Sequence, residues 1–477
     1  MTQRRMKLLF VLEQRGYLPT YARVIRALAH RGHEVTLAWP DEDVSPPEEL
    51  AECAGVVIDC WPKKREDAWA PLATSVRRAG DYIRYLNPQY RAATKLRARA
   101  FQKLLHSISR GTRTAHMDWS ELALDLTDQE RERLSTICRL MEEAIPSDRG
   151  QEAFLKLHNP NGVLVSPLID LGSSQSDIVK SAKHLGIPTG MVLYSWDNLS
   201  TKGGLHVQPD RMFVWNEWQR TEAAELHDFP RERAVATGAP RFDTFIALSP
   251  VTTREAFCKP LGFDPKRPIL MYLGSSKFVV TNSELPFIRT WVDAIRCASE
   301  EAVRESNILI RPHPDVKATD DEGPTEIVRW EGDLGRGWVT RPIAHPRVAV
   351  VRTHYRRPQA FHDALHHSAA TVALNTSAAL EAAIVGRPTL TILAGNDAAD
   401  GQSTTLHFHY LLEQNGGCVR CASSMDEHRA HLGEALAGPD QSARLRQFAK
   451  EFVRPGGWDV PASELLAEAI VREFTAY

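Results

Sequence analysis

Residues 371–393 read TVALNTSAALEAAIVGRPTLTIL, the stretch of the sequence that most strongly predicts a fold. The short apolar run 371–374 predicts a strand, and a mostly apolar helix over 378–385 follows the polar triplet 375–377. A glycine and a proline end that helix, and 389–393 predicts a second strand. The stretch is therefore a strand–loop–helix–strand unit, the repeating element of a parallel α/β sheet.

Asn375, Thr376 and Ser377 lie where the helix N-terminus would meet the carboxyl end of a strand. Such a junction offers free backbone N–H groups and about half a positive charge, which favours phosphate. Within the helix only Glu381 is polar, and Leu380 takes the place that a capping box would need. We expect the triplet to contact a phosphate and Glu381 a ribose or sugar hydroxyl. The alternative is ordinary helix capping with Glu381 in solvent.

Length and composition set the broad class of protein. A chain of 477 residues predicts two domains, and 43% hydrophobic with 25% charged residues is typical of a soluble globular protein. The net charge of -2 gives no general attraction to nucleic acid. Seven scattered cysteines, an odd number, favour a reducing cytoplasm over a disulfide framework.

The N-terminus contains an apolar run, but this run covers only residues 8–12 and is too short for a signal peptide. No apolar run approaches the roughly 20 residues that span a membrane. The sequence predicts a cytoplasmic protein, with a peripheral position at the inner membrane face as the alternative.

Strands alternate with helices along most of the chain, beginning with a βαβ unit over residues 7–38 that lacks G-x-G-x-x-G. The predicted fold class is α/β, with two Rossmann-like, doubly wound parallel sheets. A stretch rich in Pro, Thr and charge places the boundary between a first domain, 1–248, and a second, 249–455. The last helix, in 456–477, follows Pro-Gly-Gly and is expected to cross back to the first domain.

Residues 77–113 are strongly basic, with ten Lys or Arg against one acid, a local charge of +9. They belong to a helical insertion predicted around 77–145. The ordinary interpretation is an amphipathic helix with a solvated cationic face. The alternative is a surface that contacts an anionic acceptor or membrane.

Three polar loops of the second domain follow predicted strands: 274–277, 311–314 and 375–377. Ligands of open parallel sheets bind beyond the carboxyl ends of the strands, so these loops are expected to meet. The residues that they contribute to a predicted phosphate-binding edge are Ser275, Ser276, Lys277, Arg311 and His313, besides the 375–377 triplet. His407, which alternates with Phe408 and His409, is a further candidate.

Several motifs carry a family resemblance. RPHP (311–314) and NTSAALEAAIVGRP (375–388) resemble GT-B glycosyltransferases that use nucleotide-activated sugars, and FVLEQRGYLPTYARVIRALAHRGHEVTLA (10–38) resembles the start of their acceptor domain. The second domain is also similar to transferases using CMP-sugars or CDP-glycerol, and VATGAPRFDTF (235–245) to UDP-GlcNAc 2-epimerases. The resemblance implies two domains facing a cleft, with sugar donor on the second and acceptor on the first.

Transfer to an acceptor hydroxyl needs a group that takes its proton. Three carboxylates follow strands of the first domain: Glu13, which ranks first, then Asp197 and Asp170. Asp197 is alternatively a turn-forming residue that bonds its own backbone.

Metal and cofactor motifs are weak. Asp41 and Asp43 form a D-x-D that is expected to be an acidic loop, and one C-x-x-C (418–421) falls short of the four ligands of a structural zinc. His362, His366 and His367 share one helix and are expected at the surface. We therefore predict no metal and no cofactor.

The sequence thus predicts a glycosyltransferase of bacterial surface glycan or glycoconjugate biosynthesis, with a glycan, lipid-linked or small-molecule acceptor. The alternatives are a sugar-nucleotide 2-epimerase or CDP-alditol phosphotransferase of the same fold, and a non-catalytic nucleotide-sugar-binding module.

Overall fold

The structure is a computed structural model. It describes residues 5–41, 43, 45, 47–108, 126–275, 284–313, 326–330, 337–341, 347–353, 358–374, 376–392 and 405–475, with 285, 326–330, 337–341 and 352–353 described by their backbone alone. The chain forms two compact units. The first comprises Met1–Asp243, Thr405–His407 and Phe452–Tyr477, and the second comprises Thr244–Thr404 and Phe408–Glu451. The first boundary is thus near residue 243 rather than 248.

The strands are β1 (Lys7–Leu12), β2 (Glu34–Trp39), β3 (Val56–Cys60), β4 (Gly162–Ser166), β5 (Thr189–Val192), β6 (Arg211–Val214), β7 (Ala234–Ala236), β8 (Ile269–Leu273), β9 (Asn307–Arg311), β10 (Glu326–Trp330), β11 (Gly337–Arg341), β12 (Val348–Thr353), β13 (Ala370–Ala373), β14 (Thr389–Ile392) and β15 (Val419–Ala422).

The α-helices are α1 (Leu18–His30), α2 (Ala70–Arg84), α3 (Thr94–Ile108), α4 (Asp128–Ala144), α5 (Arg149–His158), α6 (Gln175–His184), α7 (Asn198–Thr201), α8 (Glu217–His227), α9 (Asp243–Ile246), α10 (Arg254–Leu261), α11 (Leu285–Arg296), α12 (Glu301–Arg304), α13 (Pro358–His367), α14 (Ala378–Val385), α15 (Met425–Ala437), α16 (Ser442–Val453) and α17 (Ala462–Thr475). None of the helices in the described ranges is long and apolar enough to cross a membrane.

The first unit is built on a parallel seven-stranded sheet in the order β3-β2-β1-β4-β5-β6-β7. The central strand β1 is buried from its second residue onward, as its unbroken apolar sequence predicts for a strand covered on both faces. Beyond β3 the chain returns to the other side of β1. The order therefore reverses between β1 and β4, and this is the point where an open α/β sheet binds ligands.

The last helix, α17, packs against α1 in the core of the first unit. The ring of Phe474 takes the space beside Gly162 of β4, where an added Cβ would lie 2.2 Å from the ring. At the N-terminal end of α17, the buried carboxylate of Asp243 accepts a hydrogen bond from the Arg454 guanidinium at 2.7 Å and one from the Ser463 amide at 2.8 Å. A carboxylate at a helix N-terminus stabilises its free N–H groups.

The basic stretch forms two separate helices, α2 and α3, and part of it is buried. Arg77 is only 2% exposed and its guanidinium is bound by the buried carboxylates of Glu142 and Asp177. Arg84 and Arg99 donate to backbone carbonyls of residues 199–203. The expectation of a wholly solvated cationic face is therefore wrong for these three side chains, whereas Arg91 and Lys95 are exposed.

The second unit contains an eight-stranded sheet in the order β10-β11-β12-β9-β8-β13-β14-β15. From β12 to β15 neighbouring strands are parallel, while β10 and β11 form an antiparallel extension that the sequence did not predict. The first strand of this unit, β8, has β9 on one side and β13 on the other, so the strand order reverses between β8 and β13. Two doubly wound sheets confirm the predicted α/β class.

Two of the three histidines of α13, which were expected at the surface, are buried. These are His362 and His367, and His367 bonds the backbone oxygen of Thr252 at 2.9 Å. Residues Leu406–Leu411 form a 3-10 helix. A capping box of Thr127 and Glu130 begins α4.

Candidate functional site

The first unit has a cleft of about 630 Å³ at the switch point of its sheet. Four lining positions follow four neighbouring strands: Glu13 after β1, Asp41 after β2, Lys63 after β3 and Asp170 after β4. The full lining is Glu13, Gln14, Arg15, Tyr17, Pro40, Asp41, Lys63 and Asp170. Two of the three carboxylates selected from the sequence therefore lie in one cleft.

Glu13 is a largely buried carboxylate, 14% exposed, in an ion pair with Lys63. Its second oxygen, Oε2, is buried without a hydrogen-bond partner among the described residues. Burial raises the pKa of Glu13, the Lys63 ammonium partly offsets this rise, and the charge of Asp170 adds to it. A carboxylate whose pKa is raised toward neutrality is a stronger base than an ordinary one.

Gln175, at the start of α6, holds the loops of this cleft and was not singled out from the sequence. Its buried amide donates to the carbonyl oxygens of Val11 and Ser166, at 3.1 and 3.0 Å. Its side-chain oxygen accepts the Leu168 amide at 2.7 Å. The ends of β1 and β4, which lead to Glu13 and Asp170, are thus tied together. No helical or strand period marks this glutamine, and its partner on β1, Val11, is 164 residues away.

Asp197 does not share the cleft lining. It precedes α7, where its carboxylate and carbonyl oxygens both accept the Thr201 hydroxyl at 2.9 Å. Burial would raise the pKa of Asp197, but His407, Lys202 and two hydroxyl hydrogen bonds lower it overall. A lowered pKa makes it a weaker base, and its contacts agree with the turn-forming alternative.

At the switch point of the second unit, two of the three predicted loops are in contact. The Gly274 amide donates to the Arg311 carbonyl oxygen at 2.8 Å, and a Cβ at Gly274 would lie 2.9 Å from the His313 nitrogen. A glycine is therefore needed here for the close backbone approach. Because β13 pairs with β8, the loop with Thr376 and Ser377 lies at the same edge of the sheet. Ser276, Lys277 and Asn375 fall outside the described residues.

Arg311 points back over the sheet edge. Its guanidinium carbon lies 3.8 Å from the centre of the Phe361 ring, a cation–π contact. Burial lowers the pKa of Arg311 to about 10, and the Glu381 carboxylate counteracts this. The two predicted site residues, from β9 and α14, therefore interact electrostatically.

Hydroxyl groups at this edge are already used in part. The Thr376 hydroxyl accepts the Ala378 amide at 3.2 Å, and the Ser377 side chain makes no cap. The Ser275 amide donates to Glu284 Oε2 at 2.8 Å, and burial raises the pKa of that carboxyl. Glu284, at the start of α11, is a site residue that the sequence reading missed.

His407 lies in the first unit, not at the edge of the second-unit sheet. Its ring is 2% exposed, with Nδ1 2.9 Å from the Ser200 hydroxyl and the ring edge-on to Trp196. Its observed contacts are thus packing contacts.

Among the residues that the structure describes, no group of three or more His, Cys, Asp or Glu side chains could hold a metal ion. Burial raises the pKa of Cys418 and of Cys421 to about 12.

No protein-family model matches the sequence, and no curated protein matches it either. Several solved structures are nevertheless similar over nearly the whole chain. A candidate UDP-N-acetylglucosamine 2-epimerase from Listeria monocytogenes aligns with a TM-score of 0.52 and 12% identity, covering 99% of this chain and 98% of its own. UGT89C1 from Arabidopsis thaliana, solved with quercetin, gives 0.50 and 12%, with coverage of 99% and 100%. Alr3699/HepE from Anabaena, solved with UDP, gives 0.51 and 9%, with coverage of 99% and 100%.

The chain has a GT-B glycosyltransferase-like fold. This confirms the resemblance drawn from RPHP and NTSAALEAAIVGRP. The similar solved structures include a glycosyltransferase-type protein and a UDP-GlcNAc 2-epimerase, so the similarity shows the fold and not the reaction.

Proposed function

We propose that this GT-B protein is a glycosyltransferase that moves a sugar from a nucleotide-activated donor to an acceptor hydroxyl in bacterial glycan or glycoconjugate assembly. One observation carries the proposal: each of the two sheets ends, at its switch point, in a polar edge, and the two edges have different chemistry. The first unit presents carboxylates, and the second presents backbone amides, an imidazole and a guanidinium.

The second-unit edge is the proposed binding place of the sugar donor. His313 and the start of α14 would contact the phosphates, because a helix N-terminus favours negative charge. Glu381, which interacts with the Arg311 guanidinium, would accept a hydrogen bond from a hydroxyl of the ribose or sugar. The Anabaena protein and Staphylococcus aureus MnaA were both solved with UDP, which supports a nucleotide as a ligand of this fold.

Glu13 is the proposed catalytic base. The acceptor hydroxyl would lose its proton to a Glu13 oxygen as its oxygen bonds to the anomeric carbon. The bond from that carbon to the donor phosphate would break, and the nucleotide would leave with the electron pair. The raised pKa of Glu13 and its position in a cleft favour it over Asp197, whose pKa is lowered. Asp170 is the second choice, since it lines the same cleft. Neither metal nor cofactor is required by this scheme.

A 2-epimerase is the second candidate, favoured by the similarity to the Listeria protein. The two functions differ in one property. An epimerase isomerises its nucleotide sugar without an acceptor, whereas a transferase consumes acceptor and releases nucleotide.

The test begins with a thermal-shift panel of UDP, CMP, CDP, GDP and dTDP. A nucleotide at about 100 times its dissociation constant adds about 2.7 kcal/mol of stability, a readily measured shift. The matching nucleotide sugars are then incubated with and without an acceptor library, and nucleotide release and sugar isomerisation are followed. Acceptor-dependent release supports the transferase. Isomerisation without acceptor would assign the protein to the epimerases, and binding without turnover would make it a binding module.

A further inference from the structure

The cleft of the first unit carries negative charge that its own cations do not neutralise. Of the two cations in the lining, Lys63 is paired with Glu13. Arg15 is paired with Asp43, which lies outside the lining, and donates to the Ser45 hydroxyl at 3.1 Å. Neither cation is therefore available to an anionic ligand without losing an existing ion pair.

Two carboxylates of the lining keep their charge uncompensated. Within the described ranges, neither Asp41 nor Asp170 has a salt-bridge partner, and Asp41 accepts only the backbone amide of Asp43 at 3.1 Å. They follow β2 and β4, the two strands that flank β1, so they lie on either side of Glu13. Three carboxylates and two cations give the lining a formal charge of about one unit negative, and Asp43, the partner of Arg15, adds a further acid beside it.

Titration of the neighbouring groups indicates the same sign of charge. Burial raises the pKa of Tyr17, and the nearby carboxylates of Asp170, Glu13 and Asp197 raise it further. Asp170 likewise contributes to the raised pKa of Glu13. Burial is the main cause of both shifts, and the charge of Asp170 adds to each in the same direction.

The size and lining of the cleft restrict the rest of the ligand. A volume of about 630 Å³ lies within the range of small-molecule sites and accommodates a disaccharide. Apart from Tyr17 and Pro40 the lining side chains are charged or amide. The Tyr17 ring stacks on Tyr194 with centroids 3.9 Å apart, which fixes its position. Such a lining suits many hydroxyl groups better than an apolar molecule.

We propose that this cleft binds a hydroxyl-rich acceptor that carries an ammonium group, with the ammonium held by the partly buried carboxylate of Asp170. The role of the ligand as an acceptor rests on the proposed transferase function. The preference of the cleft for a cationic sugar is independent of that function.

The experiment compares three disaccharides by calorimetry, without nucleotide, at about pH 6, where carboxylates are ionised and amines protonated. The probes are the disaccharide of glucosamine, its di-N-acetylated form, which has the same skeleton without charge, and digalacturonate. We expect the amine to bind at least about tenfold more tightly than the acetylated form, because Asp170 is partly buried and a charge-assisted hydrogen bond to it is screened less than one at the surface. The preference should weaken as salt rises.

Asp170→Asn keeps the shape of the side chain and removes its charge, so it should abolish most of the preference for the amine. Glu232→Gln, at an exposed acid far along the same unit, is the matched control and should leave the preference unchanged. Circular dichroism and the nucleotide thermal shift show whether each variant is folded. Equal affinity for the amine and its acetylated form, tighter binding of digalacturonate, no binding of any probe, or an unchanged preference in Asp170→Asn would each overturn the inference. Turnover with another acceptor would still support the transferase.

Discussion

Replacing Arg77 by Met tests the role of the buried part of the basic stretch. The guanidinium donates to Glu142 at 2.9 and 3.0 Å and to Asp177 at 2.7 and 2.8 Å. All three side chains are at most 4% exposed. Removing one member of a buried ion pair typically costs about 3–5 kcal/mol when the other charge is left without a partner. In Arg77→Met, Glu142 keeps Lys180 and Asp177 keeps Arg65, so we expect the stability of the first unit to fall by up to that amount.

The pH dependence of this loss has a defined sign. Burial alone would raise the pKa of Glu142, but Arg77 and Lys180 lower it overall. A carboxylate whose pKa is lowered on folding stabilises the fold above its unfolded value and loses that contribution as the pH falls through its folded value. Without Arg77 the pKa of Glu142 would rise, and the acid would be protonated in the folded state at a higher pH. The difference between wild type and variant should therefore be largest near neutral pH and shrink below about pH 4.

Hydrogen exchange followed by mass spectrometry suits this test, because a chain of two units need not unfold in one step. Peptides from α2 and α4 should lose protection in Arg77→Met. Arg91→Met, at an exposed arginine of the same basic stretch, should stay within about 0.5 kcal/mol of wild type. Arg77→Lys should be intermediate, since lysine keeps the charge but not the two-pronged geometry. Equal protection in Arg77→Met and Arg91→Met would refute a structural role for the buried network.

Three further predictions concern function. Glu13→Gln should lower turnover about 10²-fold or more while nucleotide affinity stays intact, and near-normal turnover in this variant would move the assignment to Asp170. In the wild type, the acidic limb of the pH–rate profile should lie above the usual carboxyl pKa of 4.5, because the base must be deprotonated and its pKa is raised. His313→Ala and Glu381→Ala should each weaken nucleotide binding at least about tenfold in calorimetry, since a charge-assisted hydrogen bond is worth about 1.5–3 kcal/mol, and unchanged affinity in both would remove the basis for this nucleotide site. If the exposed part of the basic stretch contacts a membrane, the protein should sediment with anionic vesicles less as the salt concentration rises, and not at all in the double variant Arg91→Glu/Lys95→Glu. If the wild type does not sediment with such vesicles at low salt, these cations are only solvated.

The fold class could be predicted because its signals are local. The βαβ unit at the start, the Thr127 capping box and the unit around α14 each follow from residues a few positions apart. The antiparallel pair β10 and β11 was missed, since strands of five residues without apolar–polar alternation have no clear period of their own.

The site was predicted only in part. Because the carboxyl ends of parallel strands share one edge, the pattern of strands was enough to select Glu13, Asp170, Arg311 and His313 as edge residues. It did not reveal Lys63, which follows the unpredicted strand β3, nor Glu284, which meets Ser275 through a backbone amide. The sequence does not show which strands are neighbours in each sheet, so it could not place Lys63 or Glu284 beside the residues that they contact.

The sequence by itself determined the alternation of strands and helices, and with it the polar loops at strand ends, because these depend on side-chain periods and caps within a few residues. Only the tertiary structure decided what each charge does. Arg77 meets carboxylates 65 and 100 residues away and becomes part of the core, while Arg91, on the same basic stretch, stays in solvent. Burial and pairing shift a carboxyl's pKa in opposite directions, and both are set by long-range neighbours. For that reason Glu13 gains a raised pKa and Asp197 a lowered one, a difference that no local pattern contains.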